Sequence, residues 1–121
     1  MPVVGDVIGF VTSNVIAKDK AYKYHLCVCD KTCQYLLVNK RQFPDDYPLS
    51  NLECGGLERD ESYVSISRVL FVPNIPKSAD WVCRVSPAYL AELSAHVANS
   101  VVATPVDQLK ILKGLLPHLP S

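Results

Sequence analysis

Two segments limit the folds open to this chain: residues 23–30, Lys-Tyr-His-Leu-Cys-Val-Cys-Asp, and residues 61–73, Glu-Ser-Tyr-Val-Ser-Ile-Ser-Arg-Val-Leu-Phe-Val-Pro. Both are dense in β-branched, aromatic and cysteine residues, the types that pack on a pleated, buried surface. Both fall in the first two-thirds of the chain, whereas the last third is patterned as helix. That order imposes β-structure followed by a helical tail.

Shorter runs complete the strand set. Residues 7–12 follow the Gly5-Asp6 turn, and residues 34–39 follow a connection of hairpin length at 30–33. The expected strands are 7–12, 22–29, 34–39, 63–72 and a short last one at 81–85. Residues 14–21, with Lys18, Asp19 and Lys20, read as an exposed loop; residues 40–51 read as a loop because Pro44 and Pro48 exclude a central strand. Residues 52–57 are expected as a short helical turn broken at Gly55-Gly56, and 74–78 as a second proline-marked loop. Ser86-Pro87 then opens a helix, with Ser as N-cap and Pro in the first turn. Leu90, Leu93, Val97 and Val101 recur at spacings of three and four, one apolar helical face. Thr104-Pro105 repeats the start signal, and a second helix over 106–113 is expected to close at Gly114.

A chain of 121 residues fits one domain, 1–121, with β-structure over 1–85 and helices over 86–116. About five antiparallel strands closed by a helix point to a mainly β fold, a small SH3-like barrel, which removes open edges in few residues. A split-sheet α+β sandwich is the alternative. Lys+Arg and Asp+Glu both number 12, so the neutral chain has no overall pull on nucleic acid or an acidic membrane, and a local patch would have to supply it. The absence of net charge also leaves copies little mutual repulsion, which suits a homodimer. No apolar run approaches the ~20 residues that cross a bilayer, so no membrane partner is expected. The five cysteines, Cys27, Cys29, Cys33, Cys54 and Cys83, are odd in number and follow no secretory leader, which reads as reduced thiols in a cytoplasm.

The chemistry on offer centres on the second strand. Alternation puts His25, Cys27 and Cys29 on one face. Neighbours at i and i+2 lie ~6.5 Å apart on an extended strand, too wide to share a zinc ion, so no metal and no cofactor is expected. A His25–Cys27 nucleophile would need an exposed thiolate, and core packing is the simpler reading of both cysteines. Cys54 before Gly55-Gly56 could form an anion-binding turn, and His96 and His118 read as packing or surface residues. Lys18, Lys20, Lys23, Lys31, Lys40 and Arg41 surround the second strand, interleaved with Tyr22, Tyr24, Tyr35 and Phe43. Cations among aromatic faces suit single-stranded nucleic acid. Asp19, Asp30, Asp45 and Asp46 dilute that patch.

Several of these residues resemble one family. Gly5-Asp6-Val-Ile is similar to the opening of MazF/PemK-type toxins of toxin–antitoxin systems. The run from Lys23 is placed like their second strand after a basic loop, residues 63–72 resemble a later strand, and Val85-Ser-Pro-Ala-Tyr-Leu-Ala-Glu-Leu resembles the start of their C-terminal helix. The resemblance implies an SH3-like barrel, a homodimer, an antitoxin partner and metal-independent cleavage of single-stranded RNA. Lys23-Tyr24 replaces the Arg-Pro that often opens the second strand, and Asn39-Lys40-Arg41 stands where a Thr-Ser pair is usual. Lys23 or Arg41 could stabilise a phosphorane, and His25 could transfer a proton, its unperturbed pKa being ~6.5. Lys18, Lys20 and Lys40 would hold the RNA. A barrel without cleavage, acting as a protein-interaction module, is the other function this pattern allows.

Overall fold

A computed structural model describes residues 1–12 and 21–120. The chain is mainly β: β1 (Asp6–Thr12), β2 (Ala21–Cys29), β3 (Gln34–Asn39), β4 (Tyr47–Ser50), β5 (Glu61–Val64), β6 (Leu70–Phe71) and β7 (Asp80–Arg84) precede α1 (Pro87–Ala98), α2 (Pro105–Leu115) and a short 3₁₀ turn, Leu116–His118. Every recorded strand pair is antiparallel, in the order β4-β5-β3-β2-β1-β7, with β6 also on β3. The sheet curls into a half-barrel.

Among the described residues seven strands stand where five are expected, for two reasons. Residues 47–50 form a strand because β4 is at the edge of the sheet, where Pro48 can sit without breaking a central ladder. The expected strand 63–72 is split into β5 and β6. Going from Val38 to Tyr35, β3 moves three residues while its partner advances six, from Val64 to Leu70. The extra residues bulge away, with Ile66 fully buried, and Ser65 N–H still donates to the Leu37 carbonyl at 2.8 Å. The expected helical turn at 52–57 is a pair of hydrogen-bonded turns, Cys54 N–H to Ser50 and Leu57 N–H to Cys54. The expected exposed loop, 14–21, lies outside the described residues apart from Ala21, which opens β2.

One expectation about the cysteines is overturned. Cys54 and Cys83 form a disulfide, with Cα atoms 5.5 Å apart, while Cys27, Cys29 and Cys33 are free. β4 and β7 terminate opposite ends of the sheet order, and its curl brings the turn after β4 against β7. Sequence distance hid this encounter. Gly56 completes the seam: a Cβ there would fall 2.8 Å from the Val82 carbonyl oxygen.

The inner face of the sheet and the two helices enclose the larger core, with Leu26, Val28, Leu36 and Val64 facing Leu93, Val97, Ile111 and Leu115. Ser86 caps α1 by accepting from the Tyr89 amide at 3.1 Å, and Glu53 holds the cap by accepting from Ser86 N–H at 3.0 Å and its hydroxyl at 2.9 Å. Leu90, Leu93 and Val97 are buried as the periodicity predicts, but Val101 lies past the helix end and is exposed. Gly114 does not close α2; the helix runs on to Leu115. Its glycine serves close approach, because a Cβ would collide with the Val28 carbonyl of β2. The outer face carries a smaller cluster, Ile8, Phe10, Cys27 and Tyr35, covered by Val72, Ile75 and Ala79 of the β6–β7 connection. Among the described residues no helix is long and apolar enough to cross a membrane.

Candidate functional site

Strand alternation sends Tyr24, Leu26 and Val28 of β2 inward and Lys23, His25 and Cys27 outward. Outward does not mean exposed. His25 is fully buried, its ring stacked on Phe10 with centroids 3.9 Å apart and planes 6° from parallel. Neither ring nitrogen has a hydrogen-bond partner among the described residues. Burial, with the Lys23 charge adding to it, pulls the imidazole pKa down to about 4, so the ring is neutral near pH 7. Burial pushes the Cys27 thiol up to about 12, and the Asp30 charge adds to the rise. A neutral imidazole beside a protonated thiol is not an activated pair.

Lys23 pairs across from Phe10 of β1 and is half-buried. The β2–β3 ladder ends at Tyr24 and Val38, so one step further brings Lys23 beside Asn39, with Lys40 and Arg41 following. The fold therefore brings Lys23, Lys40 and Arg41 to one end of the sheet, with His25 one alternation inward on the Lys23 face. Lys40 and Arg41 are exposed, and the Arg41 guanidinium lies 5.6 Å from the centre of the exposed Phe43 ring. Tyr22, also exposed, follows Tyr24 to the face of the sheet opposite Lys23, where it donates to Asp80 Oδ2 at 2.7 Å. Lys18 and Lys20 lie outside the described residues.

Of the acids expected to dilute this patch, Asp45 and Asp46 are engaged by other groups, and Asp19 lies outside the described residues. The Asp45 carboxylate accepts from the Ser100 hydroxyl, and its carbonyl accepts from His96 Nε2 at 2.7 Å. Asp46 is buried, with Oδ2 accepting from the Phe43 amide at 3.0 Å. His96 thus ties α1 to the β3–β4 connection.

Sequence reasoning missed a second constellation. Asp6 is buried; its Oδ2 accepts from Val3 N–H at 2.9 Å, and its Oδ1 accepts from Trp81 Nε1 at 3.2 Å and Arg84 Nε at 2.8 Å. Burial alone would raise the Asp6 pKa, but the bonds from Arg84, Val3 and Trp81 outweigh it and hold the carboxyl below its ordinary range. In a regular strand Trp81 and Arg84, three apart, would face opposite ways. They meet on one carboxylate because β7 carries a bulge: Cys83 pairs with Val7 and Trp81 with the next residue, Ile8, leaving Val82 extra. Only the Gly5-Asp6 turn and the one tryptophan hinted at it. A cavity of about 250 Å³ opens beside Trp81, between Asp6, Ile8, Ile75, Pro76 and Ala79. Another of about 260 Å³, near β4, is lined by Glu53, Glu61 and Glu92 and is the wrong sign for a phosphate chain. Among the described residues no group of three His, Cys, Asp or Glu side chains is placed to hold a metal ion.

Compared with known proteins, the chain matches no family model, no curated protein and no solved structure.

Proposed function

We propose that this chain is a toxin-like protein of the toxin–antitoxin kind that binds single-stranded RNA at the sheet end formed by Lys23, Lys40, Arg41 and Phe43. One observation carries the reading: cations and the exposed Phe43 ring share that end while Asp45 and Asp46 are engaged elsewhere. Phosphates would meet the cations and a base the ring. A curled antiparallel sheet with helices after it is compatible with a small SH3-like barrel of the MazF/PemK type. Binding is better supported than cleavage, since His25 is buried and neutral. Cleavage by Lys23, His25 and Arg41 would require His25 to become accessible.

The test is fluorescence anisotropy with a labelled single-stranded RNA pool over a range of salt. Affinity is expected to fall as salt rises, and Lys23→Ala, Lys40→Ala and Arg41→Ala should each reduce the slope of log affinity against log salt by about 0.7. Binding that ignores salt and all three substitutions refutes the reading. An RNA integrity assay on the same samples separates a nuclease from a binder.

The outer side of α2 favours a protein partner as well. Val106 and Leu109, with Leu116 beyond, are exposed on the side away from the core residues Ile111 and Leu115. Such a stripe suits a second copy of the chain or an antitoxin. Light scattering at micromolar concentration tests the homodimer: the 13.4 kDa monomer mass there excludes it.

A further inference from the structure

Trp81 and Arg84 differ from everything else on the outer face. Trp81 leaves 62% of its surface exposed, yet its indole is fixed through Nε1–H on Asp6. Arg84 is held by Nε on the same oxygen, and its side chain is 58% exposed. Asp6 can act as the anchor because it is only 2% exposed and its other oxygen is occupied by the Val3 amide. With Nε engaged, the paired Nη groups of Arg84 remain for an outside acceptor, in the planar fork that matches a phosphate. One buried carboxylate therefore orients two flat groups, a face for stacking and a fork for an anion. The adjoining cavity, walled by Ile8, Ile75, Pro76 and Ala79, gives a planar ligand an apolar floor.

We infer that Trp81 and Arg84 form a mononucleotide subsite, in which a base of single-stranded RNA stacks on the indole while its phosphate is held by the guanidinium. The inference deepens the RNA-binding reading and rests on it. Trp81 pairs with Ile8, and Lys23 pairs with Phe10, so both flank β1 on the same face. With ~4.8 Å between strands and ~3.4 Å per residue, they stand about 12 Å apart, a span that a short extended RNA strand covers. An apolar peptide would use the indole and leave the Arg84 fork idle, so a nucleotide uses the site more fully.

The chain has one tryptophan, so its emission reports on this subsite directly. The whole chain is titrated with adenosine monophosphate, adenosine, inorganic phosphate and a 5′-phosphorylated single-stranded ribonucleotide hexamer. The monophosphate is expected to quench saturably, adenosine to bind about ten-fold more weakly, and phosphate alone to leave the emission unchanged. Arg84→Gln should bring the monophosphate level with adenosine. If that variant does not fold, Arg84→Lys keeps the charge without the fork and should narrow the monophosphate's advantage over adenosine. By anisotropy, Trp81→Ala should weaken hexamer binding about ten-fold, and Trp81→Phe should restore most of it. Quenching that is absent, or unchanged in a folded Arg84 variant, overturns the subsite, as does a proline-rich peptide that quenches where the monophosphate does not. The double substitution Lys23→Ala with Arg41→Ala separates the two readings. If it abolishes hexamer binding while the parent shows no quenching by the monophosphate, the subsite alone is wrong. If the monophosphate quenches the parent but the double substitution leaves hexamer binding intact, the subsite stands and the basic end is wrong.

Discussion

The two faces of the sheet are covered by different means. On the inner face α1 and α2 bring Leu93, Val97, Ile111 and Leu115 against Leu26, Val28 and Leu36, and the Cys54–Cys83 disulfide locks the seam. On the outer face the cover is the β6–β7 connection, where Pro73 and Pro76 have no N–H to give. Its recorded backbone bonds are Val72 N–H to the Cys33 carbonyl at 2.8 Å, which reaches the sheet side, and Ala79 N–H to Pro76 at 3.0 Å, which stays within the connection. Beneath it lies the protonated Cys27, and beside it Asp6 and the exposed Trp81; on the same face His25 has no hydrogen-bond partner among the described residues. The inner face spends its sequence on stability, whereas the outer face holds polar groups that a stability-driven design would remove.

The sharpest break of that contrast is a cavity in the inner core. Leu93→Ala removes a fully buried side chain and should cost about 4 kcal/mol in denaturant unfolding. A loss under about 1 kcal/mol would mean the helices are not the main seal. Next comes the seam. Replacing Cys54 and Cys83 together by serine releases a link across a sequence separation of 29 residues and should cost roughly 3 kcal/mol. Mass spectrometry after alkylation of the denatured, unreduced protein checks the bond itself: only Cys27, Cys29 and Cys33 should carry the label.

Much of the inner face was readable from sequence, apart from Ile66 and the disulfide, whereas the Asp6, Trp81 and Arg84 group on the outer face was not. Periodicity located β1, β2, β3 and β7 and the buried face of α1, because alternation and helical spacing respond to a single apolar side. It failed at residues 66–69, where a bulge turns Ile66 into the core, and at β7, where Val82 shifts Arg84 onto the Trp81 face. Bulges leave no mark in hydrophobic pattern. Of the expected site residues, Lys23, Lys40 and Arg41 come to one sheet end through the pairing of β2 with β3, and nothing in the sequence signalled that the His25 ring would be buried against Phe10. Cys54 and Cys83 met because of curl, a property of the assembled sheet.

His25 sharpens the contrast through pH. Its pKa is about 4 in the fold against 6.5 for the ordinary group, so the fold favours the neutral ring. The unfolded chain takes up the proton first as pH falls, and stability is therefore full above the ordinary pKa and lost on the way down to the folded one. Between pH 7 and pH 5 the loss assignable to His25 should be roughly 2 kcal/mol. Carboxylates titrate in both parent and variant, so the quantity to read is the difference between parent and His25→Leu, which should be less dependent on pH across that interval. Parallel curves would mean that His25 finds a partner or solvent on its face, and the outer cluster would then be less dry than its packing suggests.

The smallest effect tests whether the two faces open separately. Ile75 is only half-buried, so Ile75→Ala should cost about 1 kcal/mol globally, far less than Leu93→Ala. Its local consequence should be larger than that figure suggests. Cys27 is fully buried under the connection, whereas Cys29 and Cys33 are half-buried at the far end of β2 and its turn. A thiol reagent should therefore modify Cys29 and Cys33 first and reach Cys27 only when the cover lifts. If the cover lifts by itself, destabilising it by about 1 kcal/mol should speed modification of Cys27 roughly five-fold without changing the rate at Cys29. Leu93→Ala should then leave the Cys27 rate almost untouched, since it weakens global unfolding rather than local opening. Should Cys27 instead follow Leu93→Ala and ignore Ile75→Ala, its exposure would require global unfolding, and the outer cover would belong to the same cooperative unit as the inner core.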